Sequence, residues 1–201
     1  KKRVDDEHLV ELIEVLEKNT DYMKKLVKKT IELAKLNSSK IDFDFEQTDL
    51  KEEIDKLLRK NELFFQENNV VVENRVDEDI RINVDKLRFG ELLDNLLNNA
   101  VKYSNKNDAR VVIDAEEKKD EVIVSVKDNG IGMTKDQIDK LFNEFYKADH
   151  SRHDFDSSGL GMPICKKIVE KHGGSIWAES PGLGKGSTFY FSIPTIKNEN
   201  S

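Results

Sequence analysis

The chain is short of cysteine, of long apolar runs, of basic charge and, in its first part, of glycine, and each shortage removes a class of protein. One cysteine, Cys165, in 201 residues excludes an internal disulfide framework and a multi-cysteine zinc site, and makes a reducing, cytosolic setting the default. No run of 18 apolar residues occurs, so no segment reads as a bilayer-crossing helix and no membrane contact is expected of this chain. Acidic residues outnumber basic ones, 40 against 33, giving a net charge of -7. That balance argues against a nucleic-acid binder, which would carry a basic face. The chain opens Lys1-Lys2-Arg3 with neither an initiator Met nor a signal peptide, and is expected to be a piece of a longer polypeptide. None of the 10 glycines precedes Gly90, and nine lie at or after Gly130. The first part is therefore built as rod and strand, and the later part carries the flexible backbone from which ligand sites are made.

What is present divides the chain into a rod, a linker and a compact domain. Residues 6–36 lack Gly and Pro and read as one helix. Leu9, Leu12, Leu16, Asn19, Met23, Leu26, Thr30 and Leu33 alternate in spacings of three and four, a heptad seam widened by Ile13, Val27 and Ala34. Such a stripe suits a helical bundle with another helix, or else one amphipathic helix lying on its own domain. Asn37-Ser38-Ser39 breaks the helix and 38–44 forms a linker; Ile41, Phe43 and Phe45 alternate with acids as in a strand. Asp49 with Glu52 caps a helix near 50–67, and Val70–Val72 and Ile80–Ile82 read as strands. Asp85 opens a leucine-rich helix to about Tyr103. Residues 111–115 and 122–126 form a hairpin, and Thr134 with Gln137 makes a capping box for 135–142. A helix from Pro163 to His172 ends at Gly173-Gly174, and strands at 175–179 and 188–193 follow, leaving 197–201 as a loose tail. Helices with mostly antiparallel strands predict an α+β, two-layer α/β sandwich over 45–196, preceded by a long helix at 1–37.

Four constellations can carry chemistry. Glu91, Asn95 and Asn99 stand four apart on one helical face. Asn is a poor helix-interior residue, so the pair is either a polar solvent face or a set of hard, neutral oxygen ligands suited to Mg²⁺. Lys102 and Tyr103 follow on nearly the same side, a phosphate charge and an aromatic wall. Asp128-Asn129-Gly130-Ile131-Gly132-Met133 follows a strand; it is either an Asp-Asn-Gly turn or a carboxylate for an adenine amino group with glycines that let a flat base approach. Gly159-Leu160-Gly161-Met162-Pro163 stands at a helix start, where free amides make an anion site, after a stretch holding Lys147, His150, Arg152 and His153 that reads as a basic lid. Gly182 to Thr188, taken alone, is an ordinary glycine-rich hairpin loop.

Order and spacing say more than any one of these. The run Glu91 to Ser104 resembles the N box of sensor histidine kinases, and Asp128 to Met133 their first glycine box. Leu141-Phe142-Asn143-Glu144-Phe145-Tyr146-Lys147 resembles the F box, Ser158 to Met162 the second glycine box, and Gly184-Lys185-Gly186-Ser187-Thr188 the final glycine and threonine element. The resemblance spans about 45–194 in family order and implies the Bergerat ATP-binding sandwich, shared with gyrase, heat-shock chaperone and mismatch-repair ATPases. The Phe-Tyr-Lys element and His172–Trp177 point to the kinase branch.

By that resemblance, the cofactors are ATP and Mg²⁺. Asn99 ligates Mg²⁺ between the phosphates, with Asn95 one turn earlier as a second candidate, and Lys102 meets phosphate. Tyr103 lines the nucleotide. Asp128 binds the adenine amino group, aided by Gly130, Gly132 and, through water, Thr188. Gly159, Leu160 and Gly161 form the lid hinge and phosphate loop, and Lys147 replaces a frequent Arg as a point charge. The implied activity is transfer of the ATP γ-phosphate to a histidine of a dimerisation helix, then to an aspartate of a response-regulator receiver domain, in a homodimeric parent. The family's phosphoacceptor box, a His followed by an acid on the first hairpin helix, is absent: His8 is followed by Leu9 and Val10, and the helix resembles the second of the hairpin. The chain is accordingly expected to bind Mg-ATP without phosphorylating itself, and His150, His153 and His172 are placed in or near the ATP site without being acceptors. Ser157 stands where a glycine is common. The alternatives are a degenerate ATP-gated scaffold and an ATPase or serine kinase of the same fold.

Overall fold

A computed structural model of the chain describes residues 6–38, 41–104, 108–147 and 158–195. Helix α1, Asp6–Asn37, is followed by β1 (Glu46–Asp49), α2 (Leu50–Lys60), α3 (Glu62–Glu67), β2 (Val70–Asn74) and β3 (Arg81–Val84). Then come α4 (Lys86–Lys102), the hairpin β4 (Ala109–Glu117) and β5 (Glu121–Asp128), α5 (Lys135–Lys140), α6 (Gly161–Lys171), β6 (Ile176–Glu179) and β7 (Ser187–Pro194). The main sheet has the order β2-β4-β5-β7-β6. Its β2–β4 pair is parallel and the others antiparallel, and β1 and β3 form a separate antiparallel ribbon.

Alternation decides which face of the sheet is covered. Val122, Val124, Val126 and Asp128 of β5 are buried, as are Ser187, Phe189 and Phe191 of β7. These face a layer formed chiefly by α4 and α6. The apolar side of α4, from Phe89 through Leu92, Leu93, Leu96 and Leu97 to Ala100, is almost fully buried between the sheet and α6. Fully burying side chains of this size stabilises by about 1.5–3 kcal/mol each, so α4 and α6 are fixed by packing and the residues on their remaining faces are held to position. The expected two-layer sandwich is present.

Local elements differ from expectation in four places. Residues 41–45 pair with no strand; β1 begins at Glu46. The alternation of Phe43 and Phe45 is instead satisfied against the edge of the His172 ring, at 5.1 and 5.2 Å between centroids. The helix expected over 50–67 divides at Asn61, whose side-chain amide donates to the Leu57 carbonyl and to Asp94 on α4, a competition with the backbone ladder that ends the first segment. Asp49 caps α2 by accepting from the Glu52 amide at 2.9 Å, but the Glu52 carboxylate turns to Lys56. The capping box at Thr134 and Gln137 is complete, although its helix stops at Lys140.

His172 is also displaced from its expected place. It caps the C-terminus of α6, at the opposite end of the 11-residue helix from Gly161, about 16 Å away at 1.5 Å per residue. Its Nδ1 lies 2.8 Å from the Ile168 carbonyl, and its Nε2 accepts from the Asp85 amide at 3.1 Å. That arrangement requires the neutral ring, and burial pushes its pKa below the ordinary value.

α1 docks on this layer by one end. Leu33 and Leu36 are buried, and the helix packs on α6. Arg88 of α4 donates from Nη1 to Glu32 of α1 at 3.0 Å and to Glu91 at 2.9 Å. Leu9, Leu12, Leu16, Met23, Val27 and Ile31 remain exposed, so only the end of the seam meets its own domain. Glu91 is pushed up to about 7, by burial first and then by Glu32, with Arg88 opposing. A carboxyl raised in the folded state binds its proton more tightly there than in the unfolded chain, so the native state is favoured at low pH and loses that advantage as pH rises toward 7. Thermal unfolding followed from pH 5 to 8 should therefore show a fall in stability that Glu91→Gln flattens.

Candidate nucleotide-binding site

One cleft of about 780 Å³ gathers most of the candidate residues, a size suited to a small-molecule ligand. It is lined by Asn95, Asn99, Lys102, Tyr103, Asp128, Gly132, Lys147, Gly159 and Gly161 among others. It opens between the C-terminal half of α4, the loop after β5, the start of α6 and the loop before β7.

One end is organised by Asp128. Its side chain is 6% exposed. Oδ1 accepts from the amides of Gly130 at 2.8 Å and Ser187 at 3.2 Å. Burial pushes the carboxyl above its ordinary pKa and outweighs the amides of Gly130, Ser187 and Asp128 itself, which pull it down. The loop folds tightly for a steric reason. A Cβ on Gly130 would run into the Tyr103 carbonyl oxygen, and one on Gly186 into that of Asp128. The Gly186 amide donates to the Gly130 carbonyl at 3.0 Å, and Ser180 Oγ accepts from the Met133 amide and donates to the Gly186 carbonyl. The glycine loop before β7, unremarkable as sequence, is thus the second wall of the Asp128 loop.

The other end is made by α4 and α6. Asn95 spends its amide nitrogen on the Glu91 carbonyl at 3.0 Å, and Asn99 donates to Met162 Sδ at 3.1 Å. The Oδ1 of each is a hard, neutral oxygen, and that of Asn95 lies 3.3 Å from where a Gly161 Cβ would stand. The donor set fits Mg²⁺, which is usually held by a few protein oxygens together with phosphate and water. Gly159, at φ +68, lies against Phe145, whose own amide donates to the Gly159 carbonyl at 3.0 Å. Lys102 Nζ stands 5.4 Å from the Tyr103 ring centroid, and Lys147 Nζ stands 5.4 Å from that of Tyr22 on α1.

Three expected binding residues, Gly130, Leu160 and Thr188, are not among those that line the cleft; Gly130 instead packs against the Tyr103 carbonyl inside the Asp128 loop. Leu160 is completely buried and belongs to the core; its amide donates to Ser158 Oγ. Thr188 does not line the cleft. β7 alternates, so Ser187 shares the covered face with Phe189, while Thr188 pairs with Lys127 and Glu179 on the other. Parity with Phe189 and Phe191 was the available signal for Ser187. Glu91, on the face of Asn95 and Asn99, turns to Arg88 and Glu32 instead of the cleft. His150, Arg152, His153 and Ser157 lie outside the described residues. Lys25 and Lys29 of α1, Phe64 and Asn68 also line the cleft and were not legible, because nothing in a helix of many lysines marks two of them.

Residues 84–197 match the family of histidine kinase-, DNA gyrase B-, and HSP90-like ATPases. The chain belongs to this family of ATP-binding domains. It is 32% identical to the sensor histidine kinase WalK of Bacillus subtilis over 90% of this chain and 30% of that protein, so it spans less than a third of that relative's length. The catalytic domain of histidine kinase ThkA superposes with a TM-score of 0.66 and 28% identity, over 76% of this chain and 98% of that one. ThkA in complex with the response regulator protein TrrA superposes with a TM-score of 0.76 and 27% identity, over 99% of this chain and 55% of that one.

The loop contacts predict opposite effects of alanine at two glycines. Gly130→Ala forces the backbone apart and should lower stability by about 1–3 kcal/mol. Gly90, inside α4, has nothing within 4 Å of a Cβ, so Gly90→Ala should raise it by about 0.5–1 kcal/mol. Urea unfolding of the two variants measures both.

Proposed function

We propose that this chain is the ATP-binding, catalytic portion of a sensor histidine kinase together with one helix of its dimerisation hairpin. The observation that carries the reading is a single cleft with a buried, amide-anchored carboxylate at one end and two helix-borne amide oxygens beside a helix N-terminus at the other. Asp128 accepts from the adenine amino group, with Gly132 admitting the base and Ser187 beside it. Tyr103 walls the nucleotide. Lys102 and Lys147 offer charge to the phosphates, and the start of α6 offers amides. Asn99, with Asn95, holds Mg²⁺, which when bound neutralises charge on the transferring phosphate. The transfer breaks the bond between the γ-phosphorus and the β–γ bridging oxygen and forms one to a histidine nitrogen. The phosphate then passes to a response-regulator aspartate.

The exposed seam of α1 supports the presence of a partner helix that carries the acceptor, and a dimeric parent. Self-phosphorylation is not expected of this chain. His8 stands 21 residues before Lys29, which lines the cleft, a separation of about 30 Å along the helix.

Titration calorimetry with a non-hydrolysable ATP analogue, with and without Mg²⁺, tests the site. Binding should depend on Mg²⁺, and Asp128→Asn should weaken it at least about tenfold through loss of a charged acceptor. Asn99→Ala should abolish the Mg²⁺ dependence while leaving the weak metal-free binding in place. No binding by the parent chain at millimolar nucleotide would overturn the reading. Binding without acid-labile phosphate transfer to a supplied acceptor helix would point to a nucleotide-gated scaffold.

A further inference from the structure

The cleft contains a charge excess that its own domain does not account for. Among the described residues it is lined by four lysines, Lys25, Lys29, Lys102 and Lys147, and by one carboxylate, Asp128, in a chain whose net charge is -7. Two of the four come from α1, outside the sandwich. Lys29 Nζ lies 3.9 Å from the position of a Gly161 Cβ, at the first residue of α6, beside Asn95. A cation beside the positive end of a helix is electrostatically unfavourable unless an anion lies between them. Among the described residues no carboxylate pairs with Lys25 or Lys29, whereas neighbouring Lys24 pairs with Asp21 at 3.3 Å.

We infer that Lys25 and Lys29 bind the terminal phosphates of the nucleotide, so that α1 completes the ATP site. The inference rests on the nucleotide reading above. The docking that places them is built from Leu33, Leu36 and the Glu32–Arg88–Glu91 cluster. Because the lysines belong to α1 and the remainder of the site to the sandwich, phosphate binding and helix docking are linked. A triphosphate strengthens the docked arrangement by the same factor by which docking strengthens its binding.

The test is the affinity of the full chain for a non-hydrolysable ATP analogue and for AMP, by calorimetry with Mg²⁺. The variants are Lys25→Gln/Lys29→Gln and, as a charge-matched control, Lys24→Gln/Lys28→Gln. The first double variant should bind the triphosphate about five- to tenfold more weakly, the loss expected for two partly exposed charged contacts. AMP affinity should change less than twofold, and the control should bind both like the parent. Equal triphosphate affinity in the first variant and the parent would overturn the inference and leave the nucleotide site standing. So would an equal loss for AMP, the mark of a structural defect. A parent that binds neither ligand removes both readings together.

Discussion

A carboxylate removed from water must be met by hydrogen-bond donors, and the Asp128 end of the sandwich is arranged around that requirement. The donors are main-chain amides, one from the loop that follows β5 and one from the first residue of β7. For both to reach the same oxygen, Asp128 must pair with Ser187 across the β5–β7 ladder, which is the observed register. The chain must also turn back on itself immediately after Asp128, against the end of α4. Gly130 and Gly186 follow from that closeness, since at either position a side-chain carbon would occupy a neighbouring carbonyl. The ligand-facing polarity of this end thus follows from the desolvation of one side chain.

The end formed by α4 and α6 has a different origin. It depends on the apolar contact of α4 with α6, which sets the Asn95–Asn99 face against the start of α6. One of its walls is a helix attached through a short apolar patch and a shared arginine. The two ends are therefore held differently: the Asp128 end by backbone bonds, the α4–α6 end by side-chain packing.

Much of this was legible in the sequence, and what escaped has physical causes. The long helix, the Asp85 and Thr134 caps and the β4–β5 hairpin are local features, and each is where spacing and capping chemistry put it. Asn95, Asn99, Asp128, Gly132, Gly159 and Gly161, all singled out in the sequence, line one cleft. The misses are tertiary. The Ile41–Phe45 alternation has the period of a strand, yet it found an imidazole to pack on and no strand to pair with. Asn61 divides a helix because of Asp94, 33 residues away. Lys25 and Lys29 differ from the other lysines of α1 only in what the folded domain places opposite them.

Cys165 gives the α4–α6 contact an intrinsic reporter. Its thiol is fully buried, with Sγ 3.8 Å from the Leu92 carbonyl, and burial holds it far above the ordinary thiol range. The thiolate that alkylating reagents require is thus suppressed while α6 stays on α4. Since the chain contains no other cysteine, its rate of alkylation under native conditions is a clock for the separation of these two helices.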